Sequence, residues 1–559
     1  MRCTRPTRPM RPMQPMRPVQ QRTTLGLSLL CAAAITLSCT PPDPWKFAKQ
    51  IDLTSPRGEP KIERVQDLGS VPLILNKPLK RGASDGVAVV GELLVIRGKN
   101  LGKLPQVNFG DTAMSILART EDGGIVVRAP TGTTPGKLNI TVSHGKGSSS
   151  YPMELRRYGL AIIPGLAGVQ VLTVGAGGIT VHPKPLIATT PGFVELDRYG
   201  TVAYITTGGK APRLLVVDLA AAGGPTELTQ YKLGQWKVLG LSVASRAKVA
   251  AVVHKKAIVL FDLEDPRDPM RHNPARFPPG VLKAGVVDVR LSPDGKTLAV
   301  LVNQGNSVVL FDVSDPNQVR NTAFISLLPE AKEPLVRSMH FTYEEGSKHD
   351  QVLWVATGDT PRSQLVGKHA PRLLKYAVTS AVDKTVLPSI QKLATLALPG
   401  RRTPVTLRTS YAVAQAASAS VIRSEPSKMT FFASMMHPDL FLLGKHRLTT
   451  PTGLQQGAEL LRRLGKFGTI LQLNHRGEGT PMHQEAALYT SLQITGDGKL
   501  LLGAGCKPVV TVDPPGVELP CGLLVKPIDQ GAFKLHTVGK MALGGFAPPF
   551  KLGTVRVQP

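Results

Sequence analysis

The sequence predicts an all-β protein, and three observations carry that expectation. Gly (55) and Pro (48) are abundant among the 559 residues, and only 19% are charged. β-Branched residues recur in short runs bounded by turn-forming residues, the pattern of many short strands. Two ten-residue stretches, AIVLFDLEDP (257–266) and SVVLFDVSDP (307–316), repeat almost letter for letter. Long amphipathic helical patterns are nearly absent. At this length about two to four domains are expected, because single cores stop growing near ~250–300 residues.

The first element is a leader. Residues 1–24 carry six Arg, five Pro and no acid, and LGLSLLCAAAITLS (25–38) follows as an apolar run of fourteen. That run is too short to span a bilayer as a mature helix and has the length of a signal-peptide core. It ends at Ser38-Cys39, followed by TPPDPW. The junction resembles a bacterial lipoprotein signal, although Thr36-Leu37 stands where the family prefers Leu and then a small residue. The resemblance implies that 1–38 is removed and that Cys39 is acylated, which makes the membrane a partner through a lipid anchor. Thr40, rather than Asp, after the cysteine implies the outer membrane by the enteric sorting rule. Ordinary signal-peptidase cleavage would instead release a secreted protein. Residues 39–67, mixing Pro and charge with few apolar positions, read as a tether.

Loss of the six leader arginines takes the formal net charge from +28 to +22. A cationic surface attracts polyanions, but the basic residues are scattered, with no run of five. The partners expected are an envelope protein or an anionic polysaccharide. No nucleic-acid motif is present, and no specific nucleic-acid binding is expected.

The stretches GELLVIRGKNLG (91–102), QVNFGDTAM (106–114) and IVVRAPTGTTPGKLNITVSHG (125–145) read as short strands separated by Gly, Asn and Pro turns. They suffice for a sandwich of ~80–90 residues. Gly98-Lys99-Asn100-Leu101-Gly102, Val107-Asn108-Phe109-Gly110, Ala129-Pro130, Gly136 and Ile140-Thr141-Val142 resemble an IPT/TIG domain. The resemblance covers 68–156 and implies an immunoglobulin-like spacer or interaction module without a common catalytic residue. Gly98, Asn100, Gly102, Gly110 and Gly136 are expected at turns, where Gly and Asn tolerate positive φ.

From 157 to 559 the repeats set the architecture. Strands ending in Asp218, Asp262 and Asp312 align, each preceded by another strand: TVAYITT (201–207), KVAAVVH (248–254) and KTLAVLV (296–302). Weaker copies are QVLWVATG (351–358) with RLLKYAV (372–378), KMTFFASM (428–435) with LFLLGK (440–445), and KLLLGAG (499–505) with GLLVKPI (522–528). Hairpins repeating at ~40–50 residues are the signature of β-propeller blades. A single blade cannot bury both faces, so neighbouring blades cover each other. LSPDGKTLAV (291–300) and ITGDGKLLL (494–502) resemble the turn of YVTN repeats, and the two ten-residue stretches resemble LVIVD repeats. Six blades can be counted, and a seventh from 160–182 with 533–557 makes seven the favoured number. Because Asp218, Asp262 and Asp312 recur at one blade position, an architectural role at strand ends is expected. TGLQQGAELLRRLG (452–465) alone has helical spacing and is expected to decorate a loop between blades.

Catalytic chemistry is not evident. There is no G-x-x-x-x-G-K-[ST], G-x-S-x-G or H-E-x-x-H. NHRGEGTPMHQE (474–485) gathers His475, Glu478, His483 and Glu485 in an expected loop, but the spacing fits no metal motif. Three tryptophans are too few for quinoprotein docking motifs. No catalytic residue, metal or cofactor is expected. The function expected is non-enzymatic binding or scaffolding at the cell envelope, with a hydrolase or lactonase using the axial cavity as the alternative.

Two cysteines remain. Cys506 ends one strand and Cys521 opens the next, so an even pair in an oxidising compartment predicts a disulfide at the mouth of one hairpin. The residues between them, KPVVTVDPPGVELP, read as an oversized loop.

Overall fold

The computed structural model describes residues 58–558 apart from 74–81, 164–165, 176–177, 188, 245, 277–284, 303–306, 328–337, 344–350, 358–370, 381–387, 399–402, 411–429, 437–450, 467, 474–478, 486–487, 496–498, 508, 513–514, 528–533 and 542–553. Cys39 and the leader lie outside these residues.

Strand Lys61–Asp67 opens the described chain, within the stretch expected as tether. Its sequence KIERVQD buries Ile62 and Val65, which draws it onto a sheet edge. That sheet runs Lys61–Asp67, Leu93–Lys99, Ile125–Arg128, Ile116–Arg119, all antiparallel. A second sheet runs Thr112–Met114, Gln106–Phe109, Gly136–His144, Gly147–Ile162, with Val87–Val89 added in parallel. Alternation sends Leu94, Ile96, Ile125 and Val127 to one side, where they meet Phe109, Ile140, Val142 and Leu155. Leu93, Val95 and Val126 face the other way with Leu68. The result is a two-sheet sandwich.

Strand Gly147–Ile162 does not stop at the sandwich. Through Leu155 it pairs with Gly136–His144; from Arg157 it pairs with Gln170–Gly175. The boundary expected at 156/157 therefore falls inside one continuous strand, at the point where its partners change.

Beyond it, among the described residues, lie six antiparallel sheets in chain order, designated blades 1–6. Their first strands are Pro191–Leu196, Val238–Val243, Val286–Leu291, Ser338–Tyr343, Thr403–Ser410 and Leu488–Ile494. Blade 7 joins both ends of the propeller: Thr554–Val557 is its first strand, followed by Gly147–Ile162, Gln170–Gly175 and Gly178–Val181. Each first strand touches the next around the circle, and Leu488–Ile494 touches Thr554–Val557, which touches Pro191–Leu196. The ring is closed. Gln558, fully buried, holds the closure by accepting from the Tyr158 N–H (2.6 Å) and donating to the Gly200 carbonyl (2.8 Å).

Second strands such as Val202–Thr207 and Thr297–Val302 are buried at every position, whereas outer strands such as Thr226–Lys232 are mostly exposed. This explains the continuous apolar runs in the repeats. In blade 2, Ala250 and Val252 face blade 1, while Ala251 and Val253 face blade 3. Alternate residues thus serve two different interfaces.

Three sequence expectations change in the weaker repeats. In blade 5 the partner of Thr430–Met436 is Gly468–Leu473; the stretch expected to pair with it, 440–445, lies outside the described residues. Gly479–Glu485, expected within a loop, is the outer strand of that blade. The helix Pro451–Leu464 is an insertion inside blade 5 and packs against Pro515–Pro527 of blade 6, burying Ala458, Leu460 and Leu461. Gly465 (φ 56°) ends it, its N–H bonded to the Leu461 carbonyl.

Candidate functional site at the propeller axis

Three first strands carry a charge in the middle of an apolar run: Val194-Glu195-Leu196, Val289-Arg290-Leu291 and Val555-Arg556-Val557. The preceding valines are buried between blades, so strand alternation turns each charged side chain the other way. The three residues belong to blades 1, 3 and 7, and they meet.

Arg556 grips Glu195 with two bonds, Nη2 to Oε1 at 2.7 Å and Nε to Oε2 at 2.9 Å. Arg290 Nη1 reaches the same Oε1 at 3.2 Å, and its Nη2 pairs with Asp288 Oδ1 at 3.2 Å. Arg290 Nε donates to the Met339 carbonyl of blade 4 at 3.2 Å. Asp288 Oδ2 accepts from the Met339 N–H at 3.0 Å. Two guanidinium groups and two carboxylates form a neutral set that links blades 7, 1, 3 and 4. Burial alone would lower the Arg556 pKa, but the charge and hydrogen bonds of Glu195 outweigh it and raise the group above its ordinary value.

This chemistry favours cohesion. A general base or nucleophile needs an oxygen free to meet substrate. Both oxygens of Glu195 and both of Asp288 are already engaged. Among the described residues no group of three His, Cys, Asp or Glu is placed to hold a metal.

A second set of carboxylates is buried where sandwich meets propeller. Glu92 accepts from the Gly69 N–H (2.6 Å) and the Val89 N–H (2.8 Å). Burial, with the charges of Asp67 and Asp218 added, pushes its pKa well above the carboxylate range. Asp67 is pushed up to about 6 by burial and Asp85, and Asp218 is raised by burial.

Asp218, Asp262 and Asp312 each end the third strand of a blade, and each Oδ1 accepts the N–H two residues on, of Ala220, Glu264 and Ser314. These are Asx turns that satisfy the strand end. Asp218 differs from the others because its Oδ2 also faces Gly69 of the sandwich. In the sandwich, Asn100, Gly102 and Gly110 have φ of 54°, 77° and 56°. Gly98 instead lies in a strand, where a Cβ would collide with the Lys61 carbonyl, and Gly136 has a positive φ of 149° at the start of a strand. Cys506 and Cys521 are joined by a disulfide and face each other directly in the ladder of blade 6. The intervening residues are not a loose loop: Val509–Val512 pairs with residues 515–518, extending the hairpin as a ribbon.

Glu195, Asp288, Arg290 and Arg556 were not singled out in the sequence. The available signal was the repeated V-[ER]-[LV] in three first strands, a pattern too short and variable to stand out from chance.

No protein-family model matches the chain, and no curated protein matches it. Solved structures resemble it at low identity. A Lactobacillus plantarum protein is 10% identical with a TM-score of 0.42, covering 72% of this chain and 100% of that one. The periplasmic gluconolactonase of Pseudomonas aeruginosa is 10% identical with a TM-score of 0.40, covering 72% and 99%. The β-propeller domain of Myceliophteria thermophila Cps50 (Swd1) is 10% identical with a TM-score of 0.37, covering 63% and 87%. The resemblance is to the course of the backbone and transfers no chemistry.

Proposed function

We propose that this chain is a non-enzymatic binding or scaffolding protein of the bacterial cell envelope. In this reading 1–38 is a signal peptide, Cys39 carries the lipid, 39–67 is the tether, and 157–559 presents the propeller outside the inner membrane. The destination is the outer membrane, and the partner is an envelope protein or an anionic polysaccharide. No helix among the described residues is long and apolar enough to cross a membrane, so attachment here rests on the lipid. The two-sheet sandwich, with Asn100, Gly102 and Gly110 in left-handed turns, supports reading 68–156 as an IPT/TIG immunoglobulin-like spacer.

One observation carries the functional reading: the axial carboxylates are spent on guanidinium groups. Acids committed to holding the ring leave the outer faces to do the work. Crosslinking in intact envelopes, followed by recovery of the chain, should capture a discrete envelope component. Binding to an anionic partner should weaken steeply between low and physiological ionic strength, as screening shortens the reach of each charge. The alternative is a hydrolase or lactonase acting at the axis, favoured by one fact: Glu195 stands beside two guanidinium groups that could polarise a carbonyl. Lactone hydrolysis by the purified chain, abolished in Glu195→Gln under conditions where the variant is still folded by circular dichroism, would establish that alternative and overturn the binding reading.

A further inference from the structure

The turns after the first strands of blades 1, 2 and 3 lie at one end of the axis. In blade 1 this turn holds exposed Arg198 and half-buried Tyr199, and in blade 2 it holds half-buried Arg246. Tyr343 ends the first strand of blade 4. Their side chains form one continuous arc. Arg128 of the sandwich and Arg198 both lie over the Tyr199 ring, at 3.5 and 4.3 Å from its centroid. Arg198 Nη1 reaches the Arg246 carbonyl at 3.5 Å. The Arg246 N–H donates to the Pro293 carbonyl of blade 3 at 3.0 Å, and its guanidinium lies over Tyr343, 3.8 Å from the centroid. Arg246 therefore extends from blade 2 past blade 3 to blade 4.

Three guanidinium groups converge here, and among the described residues the acid that acts on them is Asp197, whose charge acts to raise the pKa values of Arg128 and Arg198. Among the described contacts neither Arg198 nor Arg246 has an ion pair. Asp197 is buried and directs its oxygens to the Val202 and Tyr199 N–H groups. Burial lowers the Arg198 pKa, the charge of Asp197 opposes that shift, and the neighbouring Arg246 charge adds to it.

We propose that this arc is an anion-binding surface for an acidic polysaccharide, with Arg198 and Arg246 donating to successive carboxylate groups and Tyr199 and Tyr343 holding the guanidinium planes in place. The inference rests on the binding reading above and names its site. Guanidinium groups suit carboxylates because their N–H donors match both oxygens. A row of separated arginines fits a chain with repeated charges better than one compact anion. Nucleic acid is disfavoured because stacking of bases needs open aromatic faces, and here guanidinium groups already lie over the rings.

The test measures binding of the full chain to polygalacturonate by calorimetry, with dextran, single-stranded DNA and inorganic phosphate as comparisons. Arg198→Gln/Arg246→Gln should weaken polygalacturonate binding by about tenfold or more, since two charge-assisted donors are removed. Lys255→Gln/Lys256→Gln removes the same charge from an exposed turn at the opposite end of blade 2 and should change affinity by less than about twofold, as a distant screened charge does. Arg198→Lys/Arg246→Lys should fall between, and all variants should melt like the parent. Equal loss in the two Gln pairs, no binding of polygalacturonate by the parent, or tighter binding of DNA or phosphate would each overturn the proposal. An envelope partner still captured by Arg198→Gln/Arg246→Gln would leave the binding reading standing and remove this surface from it.

Discussion

Replacing Glu195 by Gln would take from the axis the carboxylate shared by Arg556 and Arg290. Breaking a buried ion pair by removing one partner costs ~3–5 kcal/mol, because the other charge stays buried and uncompensated. Here the side chains of Glu195 and Arg556 are 17% and 11% exposed, so water compensates slightly. Arg290 keeps Asp288, and Arg556 keeps the Val555 carbonyl. These residual partners place the cost at the lower end, about 3 kcal/mol. The loss should have a direction. Arg556 lies on Thr554–Val557, the strand that closes the ring, so blade 7 should open before the others. Urea unfolding should show a lower midpoint, and hydrogen exchange should accelerate at 554–558 more than in blades 2 and 3. Adding Arg556→Gln to Glu195→Gln should cost less than the sum of the two, with a coupling of about 2 kcal/mol. A Glu195→Gln protein within about 0.5 kcal/mol of the parent, the range of an ordinary surface change, and unaltered exchange at 554–558 would refute the clasp.

Other outcomes follow from the same structure. Cys506→Ser/Cys521→Ser should lose about 3 kcal/mol, the loop-entropy value for a bridge that closes ~15 residues, and a non-reducing digest of the parent should yield the two cysteine peptides linked. Asp67, with its folded pKa near 6 against about 4 unfolded, binds its proton more tightly in the native state. Its contribution is therefore complete below pH ~4 and lost as pH rises through ~6. Relative to Asp67→Asn, the parent should lose about 2 kcal/mol between those limits in chemical denaturation, and a flat difference would contradict the buried setting. Labelled palmitate should enter the parent and not Cys39→Ala; incorporation that persists in the variant would exclude Cys39 as the acceptor.

The sequence alone determined the all-β class and the repeated hairpins, because a strand covered on both faces must be apolar along its length. Val202–Thr207, Ala257–Asp262 and Ser307–Asp312 are such strands, so their signal survives in one dimension. The cysteine pair was legible for a similar reason: its two positions flank one local hairpin. Only the tertiary structure decided what depends on closing the ring. Glu195 and Arg556 are 361 residues apart, and each looks like an ordinary charge in a short strand until blade 7 brings the two chain regions together. The same closure makes Gly147–Ile162 a shared strand, since its partners 136–144 and 554–557 lie on opposite sides of it in sequence. Blade 5 was obscured by the helix Pro451–Leu464, which separates its second and third strands by more residues than any hairpin pattern spans. Periodicity reports which faces are buried by neighbours at a regular spacing; it carries no record of contacts made once, across an axis, between side chains far apart in sequence.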